Sequence, residues 1–431
     1  MNFPSSPTPH SPFLPRTVGR HRSEQSRCGE GGGMDVPIAV SPSTPIPAVG
    51  INGFGRIGRA VFRLALTRPD LEIRAVNHTA HSIEHLLTAI LYDSTHGPCP
   101  EARNLLPCPP DHPGLLPSTP NNPKPSGFLY KGRVIHLFSQ RDASKVDWAS
   151  AGVEYVMEST GKMLTRESAG VHIKAGGAKK VIISAPSKDC LNVVYGVNHS
   201  ALYLKANMGM EDIISNASCT TNCLAPIAMV LHRSFGIETG MMTTVHASTS
   251  SQKVLDGFSS KDMRSGRSAM GNIIPASTGA AQAVVKVLPE LAGKFHGISI
   301  RVPVTNVSLV DLTVTLSTPV SSKEELLLPF RRAAALPPSL FSGQARLQTP
   351  SVPPLAGVLG ISDEQLVSSD FLGSTYSSVI DVDACCILNP TTVKIVSWYD
   401  NEYGFSTRMC DLVVYMNRYE YEHRAEREES P

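Results

Sequence analysis

The sequence predicts an α/β chain in two parts, a front half that alternates strands and helices and a back half rich in strands. Three observations carry this reading. A strand, a glycine-rich loop and a helix follow one another near residues 47–77, and an extended segment at 213–216 turns into an apolar-periodic run. Long strand-like runs then appear at 241–246, 298–316 and 393–398. At 431 residues the chain exceeds the usual single-domain length, and its 41% hydrophobic content suffices for two cores. The formal net charge of +2 argues against a broad basic surface for nucleic acid or anionic lipid. No uninterrupted apolar stretch approaches the roughly 18 residues a membrane-crossing helix requires.

The front half opens on Ala48-Val49-Gly50-Ile51-Asn52, a buried strand by composition, which runs into Gly53-Phe54-Gly55-Arg56-Ile57-Gly58 and then a helical apolar run. A GxGxxG motif between strand and helix is the setting in which a dinucleotide pyrophosphate meets a helix N-terminus. Gly53 permits the tight turn, Gly55 lets the backbone approach the phosphates, and Gly58 allows close helix–strand packing. The next strand should end in an acidic residue for the ribose hydroxyls, but here it ends Val76-Asn77-His78. Asn77 can hydrogen-bond; His78 offers no fixed negative charge and no repulsion against a 2′-phosphate. NAD is the expected cofactor, with NADP open because of His78.

The nucleophile candidate is Cys219, in Ala217-Ser218-Cys219-Thr220-Thr221-Asn222-Cys223. Leu224, Ile227, Ala228 and Leu231 follow at helical spacing, which puts Cys219 at a helix N-terminus, where the dipole favours thiolate. His246 ends a strand-like run 27 residues later and is the candidate base, and a Cys–His pair favours the thiolate–imidazolium form. Ser277-Thr278-Gly279 at another helix start, and Arg301 within a strand, look like anion sites.

Proline is uneven: most of the 34 fall in 1–47, 98–125 and 329–354. Such density disfavours helix and sheet pairing, so the first stretch reads as a disordered tail and the others as extended surface insertions. The tail's scattered arginines lack the periodicity of a transit peptide, and Met34 offers an internal start. Nine cysteines without paired CxxC sets fit free thiols in a reducing compartment and predict no metal site.

These segments together resemble the phosphorylating glyceraldehyde-3-phosphate dehydrogenases. The resemblance is carried by VGINGFGRIGR (49–59), YDSTHG (92–97), VIISAPS (181–187), SNASCTTNCLAP (215–226) and MTTVHA (242–247). It continues through NIIPASTGAA (272–281), RVPVTNVSLVDLTV (301–314) and SWYDNEYGFS (397–406). It implies a Rossmann-type dinucleotide-binding domain over 46–218, with an insertion at 98–126 and completed by 400–418. It further implies an α+β catalytic domain with a mostly antiparallel sheet over 219–399, with an insertion at 329–354. Residues 1–45 and 419–431 are left as tails.

By resemblance, Cys219 attacks glyceraldehyde 3-phosphate, and His246 takes the proton as hydride leaves. Inorganic phosphate then cleaves the thioester to 1,3-bisphosphoglycerate, a step of glycolysis and gluconeogenesis. Ser218, Thr220, Thr278 and Gly279 match the attacking-phosphate site, and Thr249 and Arg301 the substrate-phosphate site. Arg56 and Ile57 match pyrophosphate contacts, Arg141 and Ser184 line the cleft, and Asn401 matches the carboxamide contact. A cytoplasmic homotetramer is implied, with the loop at 250–275 reaching a neighbour. The chain departs from the family pattern at His78, Ala80, Ser248, Phe258, Gln282 and Phe405. The alternatives are erythrose-4-phosphate dehydrogenase-like activity on the same scaffold, or a weakly active paralogue with a binding or regulatory role.

Overall fold

The structure, a computed structural model, describes residues 44–202, 211–259, 262–335 and 354–428. The predicted N-terminal tail up to residue 43 therefore lies outside the described residues. The glycine motif folds as expected: β1 (Ala48–Asn52) is buried throughout and leads into α1 (Arg56–Thr67), then β2 (Glu72–Asn77) and α2 (Ile83–Leu91). The first sheet adds β3 (Leu106–Pro107), β4 (Ser126–Tyr130), β5 (Arg133–Phe138) and β6 (Tyr155–Glu158). Two short helices, α3 (Arg166–Ala169) and α4 (Val171–Lys174), precede β7 (Lys180–Ile183), β8 (Leu191–Asn192) and β9 (Ile213–Ser215). Strand order is β3-β4-β5-β2-β1-β6-β7-β9-β8, parallel from β5 to β8, with β3 and β4 as an antiparallel edge. The central strands are apolar on both faces, as burial between two helical layers requires.

The second part begins with α5 (Cys219–Phe235), followed by β10 (Ile237–His246), β11 (Ile274–Ser277), α6 (Ala280–Val287), β12 (Phe295–Arg301) and β13 (Ser308–Leu316). Then come α7 (Lys323–Ala335), β14 (Leu359–Ser362), β15 (Ser378–Asp381), β16 (Cys386–Asn389), β17 (Thr392–Tyr399) and α8 (Tyr403–Glu428). Their sheet runs β11-β12-β10-β13-β17-β15-β14, with β16 on β17. Its pairs are antiparallel except β10–β12 and β14–β15. The C-terminal helix returns to the glycine-motif helix, where Arg68, just past the end of α1, pairs with Asp411 of α8 at 2.6 Å.

Four expectations need correcting. The expected extended insertion at 98–126 is packed over its first part, to Cys108, while 109–124 stay largely exposed and without a helix or strand. Pro100 starts a short 3-10 helix, where a missing N–H costs nothing, and Pro107 sits on an edge strand. Cys99, Ala102, Leu105 and Cys108 are buried beneath it. The insertion placed at 329–354 begins too early, because α7 passes through Pro329 on a buried face of Leu326, Leu327, Phe330 and Ala333; residues 336–353 lie outside the described residues. The single run at 298–316 is two strands, broken where Pro303 follows β12. The tail placed at 419–431 is helical to Glu428, because Tyr155 donates to Glu420 at 2.8 Å and Arg418 pairs with Glu422 one turn on.

Among the buried polar groups, His199 bears on stability. Its Nδ1 accepts from the Gly196 N–H at 3.1 Å, its ring packs on Tyr195 and Tyr415, and burial lowers its pKa from 6.5 to about 4. Between those values the unfolded chain binds a proton that the folded protein refuses. Stability is therefore intact above pH 6.5 and falls as pH drops towards 4, by roughly 3 kcal/mol for this one residue. The urea midpoint is expected to fall from pH 7 to 4.5 and His199→Gln to flatten that fall; an equally steep fall in the variant would contradict this.

Candidate active site

Cys219 is delivered by a tight elbow between β9 and α5. Ala217 takes φ +55°, a left-handed conformation uncommon for a residue with a side chain, and its N–H donates to Ser215 Oγ at 3.0 Å. Asn222 Nδ2 reaches back to the carbonyls of Asn216 (2.8 Å) and Ser218 (3.0 Å), and Asn216 Nδ2 donates to the Phe405 carbonyl at 3.1 Å. Ser218 is the N-cap, accepting from the Thr221 N–H at 3.0 Å, so Cys219 is the first helical residue.

His246 closes β10, and its Nε2 lies 3.6 Å from Cys219 Sγ. Parallel pairing of β10 with β12 sets His246 opposite Arg301, which brings a guanidinium to the same point. Nδ1 of His246 is 2.7 Å from the Ala247 carbonyl and 2.7 Å from Arg301 Nη1. One nitrogen cannot donate to the first and accept from the second, so these contacts select opposite tautomers. With Nδ1–H on Ala247, which Arg301 Nη1 also approaches at 3.2 Å, the Nε2 lone pair faces the sulfur and can take its proton.

The charge state differs from the thiolate–imidazolium pair expected from the sequence. Burial pushes the Cys219 thiol up, while Arg301 and the helix-start N–H groups pull it partly back. Burial first and Arg301 second lower His246 to about 4. The free site thus holds a neutral thiol against a neutral imidazole, because enclosing both groups penalises each charged form.

Beneath the pair lies a residue that sequence reasoning passed over. The buried Tyr399 Oη is 2.8 Å from Thr220 Oγ1 and 2.9 Å from Thr244 Oγ1, and its ring stands edge-on to His246. The hydroxyl of Thr220 is therefore taken up by Tyr399, and its backbone N–H faces the Cys219 sulfur. The only signal was its place in the quoted run at 397–406.

The dinucleotide cleft is built by the glycine loop. Gly53 has φ +90°, and a Cβ there would sit 2.7 Å from the Thr160 nitrogen; at Gly58 it would lie 2.1 Å from the Gly53 carbonyl. At Gly55 a Cβ would meet nothing, so the protein's own packing does not require that glycine. The α1 N-terminus beside it has no side-chain cap and no acidic residue in its first turn. An open, uncapped helix start fits a pyrophosphate.

The side chains around this cleft do not all serve as expected. The Arg56 guanidinium is held by Asp93 and Glu402, both at 2.5 Å, so Arg56 and Ile57 have their backbone N–H groups to offer. Asn77 is buried and spent on Asn52 Oδ1 (2.8 Å) and on the Gln140 backbone. His78 Nδ1 accepts from the Ala80 N–H at 3.0 Å, which leaves Nε2 carrying the hydrogen. Arg141 is exposed just after β5 and Ser184 half-buried just after β7, both at carboxyl ends of parallel strands. Buried Asn401 accepts from Ser308 Oγ at 2.9 Å.

The anion candidates fall in two places. Thr249 lies on the loop after β10, which is tied to the segment after Arg301 by the Ser248 N–H to the Val304 carbonyl (2.9 Å). Thr278 and Gly279 begin α6, which packs on α5; Thr278 Oγ1 accepts from the Ala280 N–H at 3.1 Å, and no acidic residue enters the first turn. No hydrogen bond joins them to the Cys219 group among the described residues.

Comparison with known proteins agrees with this geometry. Residues 47–105 match the glyceraldehyde 3-phosphate dehydrogenase NAD binding domain, and residues 218–401 match the C-terminal domain of the same enzymes. A glyceraldehyde-3-phosphate dehydrogenase of Ogataea parapolymorpha is 47% identical over 368 residues, covering 85% of this chain and 97% of its own. The chain belongs to the glyceraldehyde-3-phosphate dehydrogenase family. A cytosolic member from Chlamydomonas reinhardtii is 46% identical (85% and 96% covered), and a chloroplastic member from Arabidopsis thaliana 46% identical (89% and 81%).

The departures from the family pattern leave the Cys219, His246 and Arg301 cluster unaltered. Ser248 Oγ is 3.3 Å from the Val302 carbonyl, Phe405 is buried beside the Cys219 elbow, and Phe258 is fully exposed. Among the described residues, no His, Cys, Asp and Glu group is arranged to hold a metal, and no helix is long and apolar enough to cross a membrane.

Proposed function

We propose that this chain oxidises glyceraldehyde 3-phosphate with NAD and inorganic phosphate to 1,3-bisphosphoglycerate. The observation that supports this most directly is the 3.6 Å approach of Cys219 Sγ to His246 Nε2 beside Arg301. Arg301 and Thr249 hold the phosphate of the substrate. Sγ adds to the aldehyde carbon as its proton passes to Nε2 of His246, and the imidazolium hands that proton to the carbonyl oxygen, giving a hemithioacetal and a neutral His246 once more. His246 then takes the hemithioacetal hydroxyl proton as hydride departs, and a Cys219 thioester remains; NAD, when bound, is the hydride acceptor. Inorganic phosphate, held by Ser218, the Thr220 N–H, Thr278 and the Gly279 N–H, attacks the thioester and releases the thiol. Two anion sites are needed because both phosphates must stand near one sulfur. NADH formation from glyceraldehyde 3-phosphate should require added phosphate; turnover equally fast without it would refute the reading, and faster turnover of erythrose 4-phosphate would reassign the substrate.

Residues 46–218 with the C-terminal helix would hold the dinucleotide through Gly53, Gly55, Gly58 and the α1 N-terminus, and Asn401 would meet the carboxamide. Residues 219–399 would carry the catalysis. His78 favours a second reading, use of NADP. Its Nε2–H is a donor where an acidic residue would repel a 2′-phosphate, and burial keeps the ring neutral by lowering its pKa. His78→Asp is expected to raise the NAD over NADP ratio of kcat/KM by about tenfold or more. An unchanged ratio would remove His78 from cofactor choice.

A homotetramer accounts for the loop at 250–275, which exposes Val254, Leu255, Phe258, Met263 and Ile273. Its mass in solution checks this. A cytoplasmic location is proposed, the relatives including both cytosolic and chloroplastic members.

A further inference from the structure

The order of the parallel strands in the first sheet reverses between β1 and β6. From β1 the chain crosses to β2 on one side and later returns to β6 on the other, so β1 and β6 are neighbours with diverging connections. Such a point opens a crevice at the carboxyl ends of its strands. Glu158, the last residue of β6, sits in this crevice with its side chain wholly buried, and so does its partner His172.

Four donors converge on the Glu158 carboxylate. Asn52 Nδ2, from the end of β1, donates to Oε2 at 2.6 Å, and His172 Nε2 approaches the same oxygen at 3.0 Å. The Thr160 N–H donates to Oε1 at 2.7 Å, and the Thr160 hydroxyl donates to it as well. Trp148 Nε1–H donates to His172 Nδ1 at 3.1 Å, which leaves the imidazole hydrogen on Nε2, aimed at Glu158. The arrangement joins the two lips of the crevice. Asn52 is followed by Gly53, whose missing Cβ would lie 2.7 Å from the Thr160 nitrogen. The same carboxylate therefore fixes both the start of the glycine loop and the backbone that faces it across the gap.

We propose that Glu158 is the positioning residue that sets the width of the dinucleotide crevice, acting through Asn52 and Thr160 and touching no reacting atom. A carboxylate removed from water needs such donors to offset its desolvation, and they come from both lips at once. The inference rests on the dinucleotide reading of the glycine loop.

Glu158→Gln keeps the shape but turns one acceptor into a donor that faces donors. It should raise the KM and Kd for NAD by about tenfold, while kcat at saturating NAD and the KM for glyceraldehyde 3-phosphate stay within about twofold. Thr160→Val, which removes one donor at the crevice rim, should shift the KM for NAD by about threefold in the same direction and serves if Glu158→Gln fails to fold. An unchanged KM for NAD overturns the proposal. So does a fall of kcat and a rise of both KM values together in step with a lowered melting temperature, since that is loss of fold alone. Calorimetric titration of the wild-type protein with NAD separates the two ideas: no binding there sinks the dinucleotide reading itself.

Discussion

Cys219→Ser is expected to lower phosphate-dependent NADH formation by at least about a thousandfold while leaving the melting temperature and NAD binding unchanged. Serine suits the first turn of α5 as well as cysteine does, so the elbow at Ala217 and the Ser218 cap should persist. What disappears is the chemistry. A hydroxyl gives up its proton far less readily than a thiol, and an ester is a poorer acyl donor to phosphate than a thioester. The neutral resting pair adds a second expectation for the wild-type protein. Because burial raises the thiol, alkylation of Cys219 in the free protein should keep accelerating beyond the ordinary thiol range and not level off near neutrality. Steady-state rates with calorimetry check the first, and alkylation rates against pH the second. Retention of even one tenth of the wild-type rate by the serine variant would exclude the covalent route.

Much of this site was legible in the sequence because local rules govern it. The glycine loop declares itself through spacing, with a turn at Gly53 that needs φ +90° and a packing contact at Gly58 that excludes a side chain. The helix beginning at Cys219 follows from periodicity and its cap. The meeting of Cys219 with His246 was an inference from chemistry, since it depends on β10 reaching the elbow after β9 across two sheets. The protonation of the pair was misjudged because a helix N-terminus is visible in sequence and enclosure is not. Arg56 and Asn77 show the same blindness: each sits where a ligand contact was expected, yet Glu402 and Gln140, remote in sequence, take up the side chains. Proline density misled in the insertion and in α7, because a first helical position, an edge strand and a strongly apolar helix face all tolerate it.

His246→Asn is expected to reduce kcat by roughly a hundred- to ten-thousandfold and to remove the acid limb of the pH profile. The sign of that limb follows from the pKa. Burial, assisted by Arg301, lowers the imidazole from 6.5 to about 4, and the neutral ring is the base. The base is therefore present above about pH 4 and lost below it, so kcat/KM should stay flat from pH 7 to 5.5 and decline only in more acid solution. An unshifted imidazole would already have halved the rate at its ordinary value of 6.5. A wild-type limb centred there would show that substrate binding restores the imidazole or that another group is the base. A double variant separates these. Because Sγ and Nε2 act as one unit, Cys219→Ser with His246→Asn should cost little more than Cys219→Ser alone. Costs that multiply would mean that His246 serves a step in which the sulfur takes no part, and the base for the cysteine would have to be sought elsewhere.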